Sequence, residues 1–215
     1  MRIFIYFILI TSIFSCASSR LVEPLSKNQH AVSFDLGGSL IEYNETTIPI
    51  PLSSITYSHG ISEKLTAFGS LHTTSLLFNN FQTDFGLLAL IKSQENYVPA
   101  LSSVFALNYI SELSVGNPKL WPQFDTNAYW NFYENRHRLH LGCSIWIDFE
   151  LINDNNFAIV NPHLGYTYKI NNWEYGLEMK LLAPSYDNTK VFLPYQSIAG
   201  NYGATAIFFN VGKRF

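Results

Sequence analysis

From His30 onward the chain repeats one theme. Apolar and polar side chains alternate for about ten to fourteen residues, and a polar break follows. A period of two puts successive side chains on opposite faces of an extended strand. Ten strands are predicted on this basis, at 31–43, 51–60, 65–76, 81–92, 98–110, 122–133, 137–151, 157–170, 173–183 and 203–215. Strands of ordinary globular domains run to about five or six residues. Strands that cross a bilayer need about 9–11, and the predicted lengths fit the second figure. The two faces are plain at 137–151, where Leu139, Leu141, Cys143, Ile145, Ile147 and Phe149 oppose His140, Gly142, Ser144, Trp146, Asp148 and Glu150. At 173–183, Tyr175, Leu177, Met179 and Leu181 oppose Glu174, Gly176, Glu178 and Lys180. The pattern is weaker at 65–76, where Phe68 falls on the polar side with Thr66, Ser70 and His72.

Alternation does not say which face is outside. A soluble barrel buries the apolar face, and a membrane barrel turns it to lipid. The polar face here is rich in Gly, Ser, Thr and Asn with few lysines, as in Ser33, Asp35, Gly37 and Ser39, or Ser54, Thr56, Ser58 and Gly60. Charged residues make up 13% of the chain, against about 25–35% of a solvated surface. Connections also alternate in length. Residues 61–64, 93–97, 134–136 and 171–172 form short breaks; 44–50, 111–121 and 184–202 are long; 77–80 and 152–156 are modest. Short turns on one side and longer loops on the other are the outer-membrane pattern. The prediction is an all-β, antiparallel, up-and-down transmembrane β-barrel of about ten strands, with eight or twelve as the alternative counts.

The first residues read differently. Met1–Arg2 is a weakly basic start, Ile3 to Phe14 is almost unbroken apolar sequence, and Ser15, Cys16, Ala17, Ser18 and Ser19 are small. These are the three regions of a secretory signal. Ile13-Phe14-Ser15-Cys16 resembles the bacterial lipobox, although Phe14 stands where a small residue is usual. That resemblance implies an acylated Cys16 at the start of the mature chain. The expected division is 1–15 signal peptide, 16–29 lipid-anchored tether and 30–215 barrel. At the other end, Phe209 and Val211 alternate toward a terminal Phe215, resembling the C-terminal strand signal of bacterial outer-membrane barrels. Tyr97, Phe132, Tyr168, Trp173 and Phe215 gather near the short-turn ends, where amphipathic rings favour a membrane–water interface. With the segment from Ile55 to Ser70, these features make the chain similar to small outer-membrane barrel proteins of Gram-negative bacteria. The resemblance implies a place in the outer membrane, with outer-membrane lipid and the lipoprotein-sorting and barrel-assembly machineries as partners. It implies no specific activity.

Composition removes other classes. Lys+Arg is 13 and Asp+Glu 16, a net charge of −3, without the basic excess of a nucleic-acid binder. At 47% hydrophobic and 16% aromatic the chain is not disordered, and no apolar run of about 18 residues follows the signal. Once Cys16 is committed, Cys143 is the remaining thiol and no intrachain disulfide forms. No phosphate loop, CxxC, HExxH or EF-hand spacing occurs, so no catalytic, cofactor-binding or metal residue is assigned. Gly37-Gly38 reads as a bend or close-packing site. On the polar face, Asp35, Asp84, Asp125, His140, Asp148, Glu150, His163, Lys169, Glu174, Glu178, Lys180 and Arg214 are expected to form an ion network plugging a narrow lumen, because desolvated carboxylates need partners. About eight strands fill their interior with side chains and about sixteen leave a channel. The expected role is therefore structural, surface-interacting, small-ligand-binding or narrow-pore. The alternatives are a soluble lipid-anchored barrel binding an apolar ligand and an outer-membrane hydrolase or lipid-modifying enzyme. For the last, Ser58-His59 and His72 are the candidates, with no triad fixed.

Overall fold

A computed structural model describes residues 20–149 and 157–215. The signal segment, Cys16 and the break at 152–156 lie outside the described residues. All ten predicted segments form strands. They are β1 (His30–Tyr43), β3 (Leu52–Ser62), β4 (Leu65–His72), β5 (Asn80–Lys92), β6 (Ala100–Glu112), β7 (Pro118–Phe132), β8 (His137–Ile147), β9 (Ala158–Ile170), β10 (Trp173–Asp187) and β11 (Tyr202–Arg214). An eleventh, β2 (Thr46–Pro49), pairs back on the end of β1 and is exposed throughout. It occupies the stretch that the sequence reads as loop. A one-turn helix, α1 (Thr73–Leu77), follows β4 where the sequence pattern carries the strand to residue 76.

Neighbours in sequence are neighbours in the sheet, and β11 pairs with β1 to close a ten-stranded antiparallel barrel. The closing register sets Phe34 opposite Val211 and Leu36 opposite Phe209. His30 and Phe215 complete the seam: the Phe215 amide donates to the His30 carbonyl at 2.8 Å. Gly37 lies on this seam at φ +147°, and a Cβ there would stand 2.0 Å from the Ile207 carbonyl oxygen. The diglycine is thus a close-packing site, as read.

The apolar face points outward. Phe34, Ile55, Phe85, Phe105, Leu141, Leu164, Leu177 and Phe209 are all exposed, while Asp35, Ser54, Asp84, Gln123, Asn161 and Glu178 are buried inside. A soluble barrel would reverse these sets, so that alternative is not the structure adopted. The short turns and both barrel termini share one end; β2, α1 and the long connections share the other. At the short-turn end Trp173 and Phe215 are exposed, with the Lys213 ammonium 5.2 and 5.1 Å from their ring centres. The longest connection is not a free loop. The Gln196 amide donates to Leu40, the Glu42 amide to Pro194, and Ile41 bridges to Tyr195, which ties 194–196 to the projecting end of β1.

Candidate functional site

The lumen is the site, and it is filled. Residues 20–29, read from the sequence as a tether, turn back into the barrel at the short-turn end and run inside it. The turn is fixed at Gly60: the Asn28 amide donates to the Gly60 carbonyl at 2.8 Å, and the Gly60 amide to the Gln29 carbonyl at 2.9 Å. A Cβ on Gly60 would meet the Ser26 carbonyl oxygen at 2.0 Å, so a larger residue would push the segment out. Inside, Leu25 is fully buried and its amide donates to the Thr66 hydroxyl at 2.8 Å. Val22 packs on Ala100 and Tyr129, and its carbonyl accepts from the Ser102 hydroxyl at 2.6 Å. Leu21 packs on Phe68, Leu88, Val104 and Ala106. The breaks in alternation, Phe68 above all, are therefore the docking surface for this segment.

Two charged side chains carry the segment's polar contacts. Arg20 reaches Asp84 at 3.0 Å, Asn108 at 3.2 Å and Gln123 at 3.3 Å, and Asp84 also pairs with His72 at 2.8 Å. Glu23 accepts from Asn131 at 2.7 Å, Lys169 at 2.6 Å and Arg214 at 3.3 Å, and pairs with Arg138. Burial alone would raise the Glu23 carboxyl. The three cations outweigh it and hold the group well below the usual carboxylate range. Arg214 further pairs with Glu174 at 2.6 Å. Beyond the end of the segment, Trp121, Trp146, Leu182, Ala206 and Phe208 meet at the long-loop ends of their strands, with Ile110 and Ile159 against them. At the opposite mouth a depression of about 550 Å³ is bounded by Glu23, Arg136, Lys169, Trp173 and Arg214.

Of the expected lumen residues, Lys169, Glu174 and Arg214 join the Glu23 cluster, and His140, Glu178 and Lys180 form a second group. Asp35 takes Asn210 at 2.8 Å and Asp125 takes Gln123 at 2.8 Å. Asp148 is elsewhere, paired with Lys119 at 2.9 Å near the long-loop end, and Glu150 lies outside the described residues. Ser58 is buried inside, while its chain neighbour His59 stacks on His30 at 4.6 Å between ring centres, so no Ser–His–Asp arrangement forms there. Arg20, Glu23 and Arg138 were not foreseen. Parity with His140 was enough to place Arg138 inside. Nothing in the local pattern placed the other two. Phe209, Val211 and Phe215 line the outer surface of the last strand, as the terminal alternation implies.

No protein-family model matches the sequence, and no curated protein matches it. Solved structures do. The COG4313 outer membrane channel from Pseudomonas putida F1 superposes with a TM-score of 0.50 at 8% identity, covering 93% of this chain and 100% of that one. The translocator domain of autotransporter NalP from Neisseria meningitidis gives 0.46 at 11% identity, covering 100% and 98%. The KdgM porin gives 0.45 at 8%, covering 87% and 99%. At such identities the likeness is one of fold: this chain is a closed antiparallel barrel built like outer-membrane β-barrels.

Proposed function

We propose that the protein is a lipid-anchored outer-membrane barrel that does not conduct at rest, its lumen stoppered by its own N-terminal segment, and that it acts through the loops at its long-loop end. One observation carries the closed state: Arg20 and Glu23, both on residues 20–29, bond to side chains on β5, β6, β7, β8, β9 and β11. A stopper held by six of the ten strands leaves little room for flow. The external role follows from what remains. The β1–β2 hairpin and the 184–202 connection are mounted on one another above a rigid scaffold, where binding function concentrates. Among the described residues, Ser58 and His59 form no nucleophile–base pair, since Ser58 points inside and His59 stacks on His30.

Acylation of Cys16 belongs to the same proposal, and so does recognition of Phe209, Val211 and Phe215 by the barrel-assembly machinery.

Single-channel recording in planar bilayers tests the closed state. Wild-type protein is expected to show no steady conductance, and Arg20→Ala with Glu23→Ala is expected to show open steps. Equal conductance in both would sink the stopper. Mass spectrometry of the mature N-terminus decides the acylation.

A further inference from the structure

The tripeptide His-Leu-Gly occurs twice, at 140–142 and 163–165. Antiparallel pairing of β8 with β9 sets His140 opposite Gly165, Leu141 opposite Leu164 and Gly142 opposite His163. The two leucines face lipid and the other four residues face the lumen. Each glycine makes room for the ring across from it. A Cβ on Gly165 would stand 2.5 Å from His140 Nε2, and one on Gly142 would stand 2.6 Å from His163 Nε2. The rings lie 6.0 Å apart at 61°. On the next strand Glu178 pairs with Gly165 in register, and its Oε2 is 3.0 Å from His140 Nε2.

We propose that His140, His163 and Glu178 bind a divalent transition-metal ion of the zinc type inside the barrel. One atom from each of the three lies within 4.8 Å of the other two. Tetrahedral zinc with bonds of about 2.1 Å spaces its donors about 3.4 Å apart, so side-chain movements of about an ångström bring them onto one ion. Two imidazoles and a carboxylate with a fourth position left over is a donor set that such ions take.

The surroundings fit a ligand set better than a simple core. Both rings are at least nine-tenths buried, and Nδ1 of each has no hydrogen-bond partner. His163 Nε2 is 2.8 Å from Asn127 Oδ1, which orients that ring. Ligating histidines are usually held in this way. Glu178 Oε1 is 3.0 Å from the Lys180 ammonium and Oε2 is 3.0 Å from His140 Nε2, so the carboxylate is held beside the ring. Lys180 lowers the affinity by charge and fixes the carboxylate by hydrogen bonding. A cavity of about 30 Å³ touches both His140 and Glu178, and Arg20, Leu21 and Val22 form part of its wall. It holds about one water-sized ligand. Because the N-terminal segment covers the cavity, the ion enters as the segment docks and is enclosed beneath it.

The full-length protein is refolded into detergent with Zn²⁺ or Co²⁺, freed of excess metal and analysed for metal content. Its fold is checked by heat-dependent gel migration. Wild type is expected to retain one equivalent, with Co²⁺ giving the visible absorption of a four-coordinate ion. His163→Gln and Glu178→Gln are expected to lose it while migrating as folded barrels. Asn127→Leu should weaken binding about 10–100-fold, and Lys180→Met should tighten it. His30→Gln, which alters the half-buried His30–His59 pair, should change nothing. A folded wild type that retains no metal overturns the site, as does retention of the full equivalent by folded His163→Gln and Glu178→Gln proteins. If folding of the single variants fails, the visible bands of Co²⁺ retained by wild type decide the matter; their absence counts against the site.

Discussion

The lumen is filled in two ways, and the contrast shows where this barrel can be opened. At the long-loop ends of β6 to β11, Trp121, Trp146, Leu182, Ala206 and Phe208 pack together inside the barrel. All of them belong to strands that the sheet already fixes. Along the path from the short-turn end, the filling is residues 20–29, which have no place in the barrel's ladder. The barrel wall there offers Arg138, Lys169 and Arg214, three cations that need a carboxylate, and Asp84, a carboxylate that needs a cation. Glu23 and Arg20 supply both. One plug is intrinsic to the barrel and apolar. The other is a separate, charged piece that can leave as a unit, and its departure would strand buried charges on both sides.

Replacing Glu23 should have the largest effect. Removing one partner of a buried ion cluster costs about 3–5 kcal/mol, because the remaining charges stay buried without compensation. Glu23→Ala should therefore lower the urea midpoint of the folded barrel in detergent strongly and admit conductance. Leu182→Ala, in the apolar plug, should destabilise by about 3 kcal/mol through lost transfer energy and a cavity, yet stay non-conducting. If Leu182→Ala conducts and Glu23→Ala does not, the assignment of the removable plug is backward.

On the outer wall, Ile145 faces lipid and Ser144 faces the lumen. Arg at the bilayer midplane of a barrel costs about 2–4 kcal/mol, falling toward the interfaces. Ile145→Arg should lose about that much when folding into vesicles is followed by gel migration, and Ile145→Leu should lose little. Equal yields for the two would mean that Ile145 does not meet hydrocarbon. The same outer wall bears on assembly: deletion of Phe215, whose amide closes the β1–β11 seam, should reduce the folded outer-membrane fraction without reducing export.

The wall was legible because its signal is local. A two-residue period, repeated ten times, marks strands and faces without knowledge of what lies across the barrel, and the low charge of the polar face told which side was lumen. Exceptions to the period carried the rest of the information. Phe68 and Leu88 interrupt polar faces because Leu21 sits against them, but an interruption names no partner. Arg20 meets Asp84 across 64 residues and Glu23 meets Arg138 across 115. Pairings at that separation leave no spacing to read. The histidines show the same limit: His140 and His163 stand 23 residues apart in sequence, and only the β8–β9 register brings them together.

Acid offers a smaller and graded test of the charged plug. Glu23 belongs to the segment that precedes the first strand, and its carboxyl is held below the ordinary range near 4.3 when the segment is docked. A group whose value is lowered by folding binds more protons in the released state, so its contribution is complete above the ordinary value and is lost as the pH falls below it. Docking strength should thus be flat from neutral pH to about 5. Below about 4 it should weaken by at most about 1.4 kcal/mol per pH unit, the limit set by one proton. In bilayer recordings, wild type should begin to show brief openings on acidification, while the apolar plug, which carries no titrating group among its members, contributes no such dependence. Glu23→Gln should be leaky at neutral pH and respond to acid far less. Should Glu23→Gln keep the full acid response of wild type, the proton is acting on the barrel wall rather than on the segment.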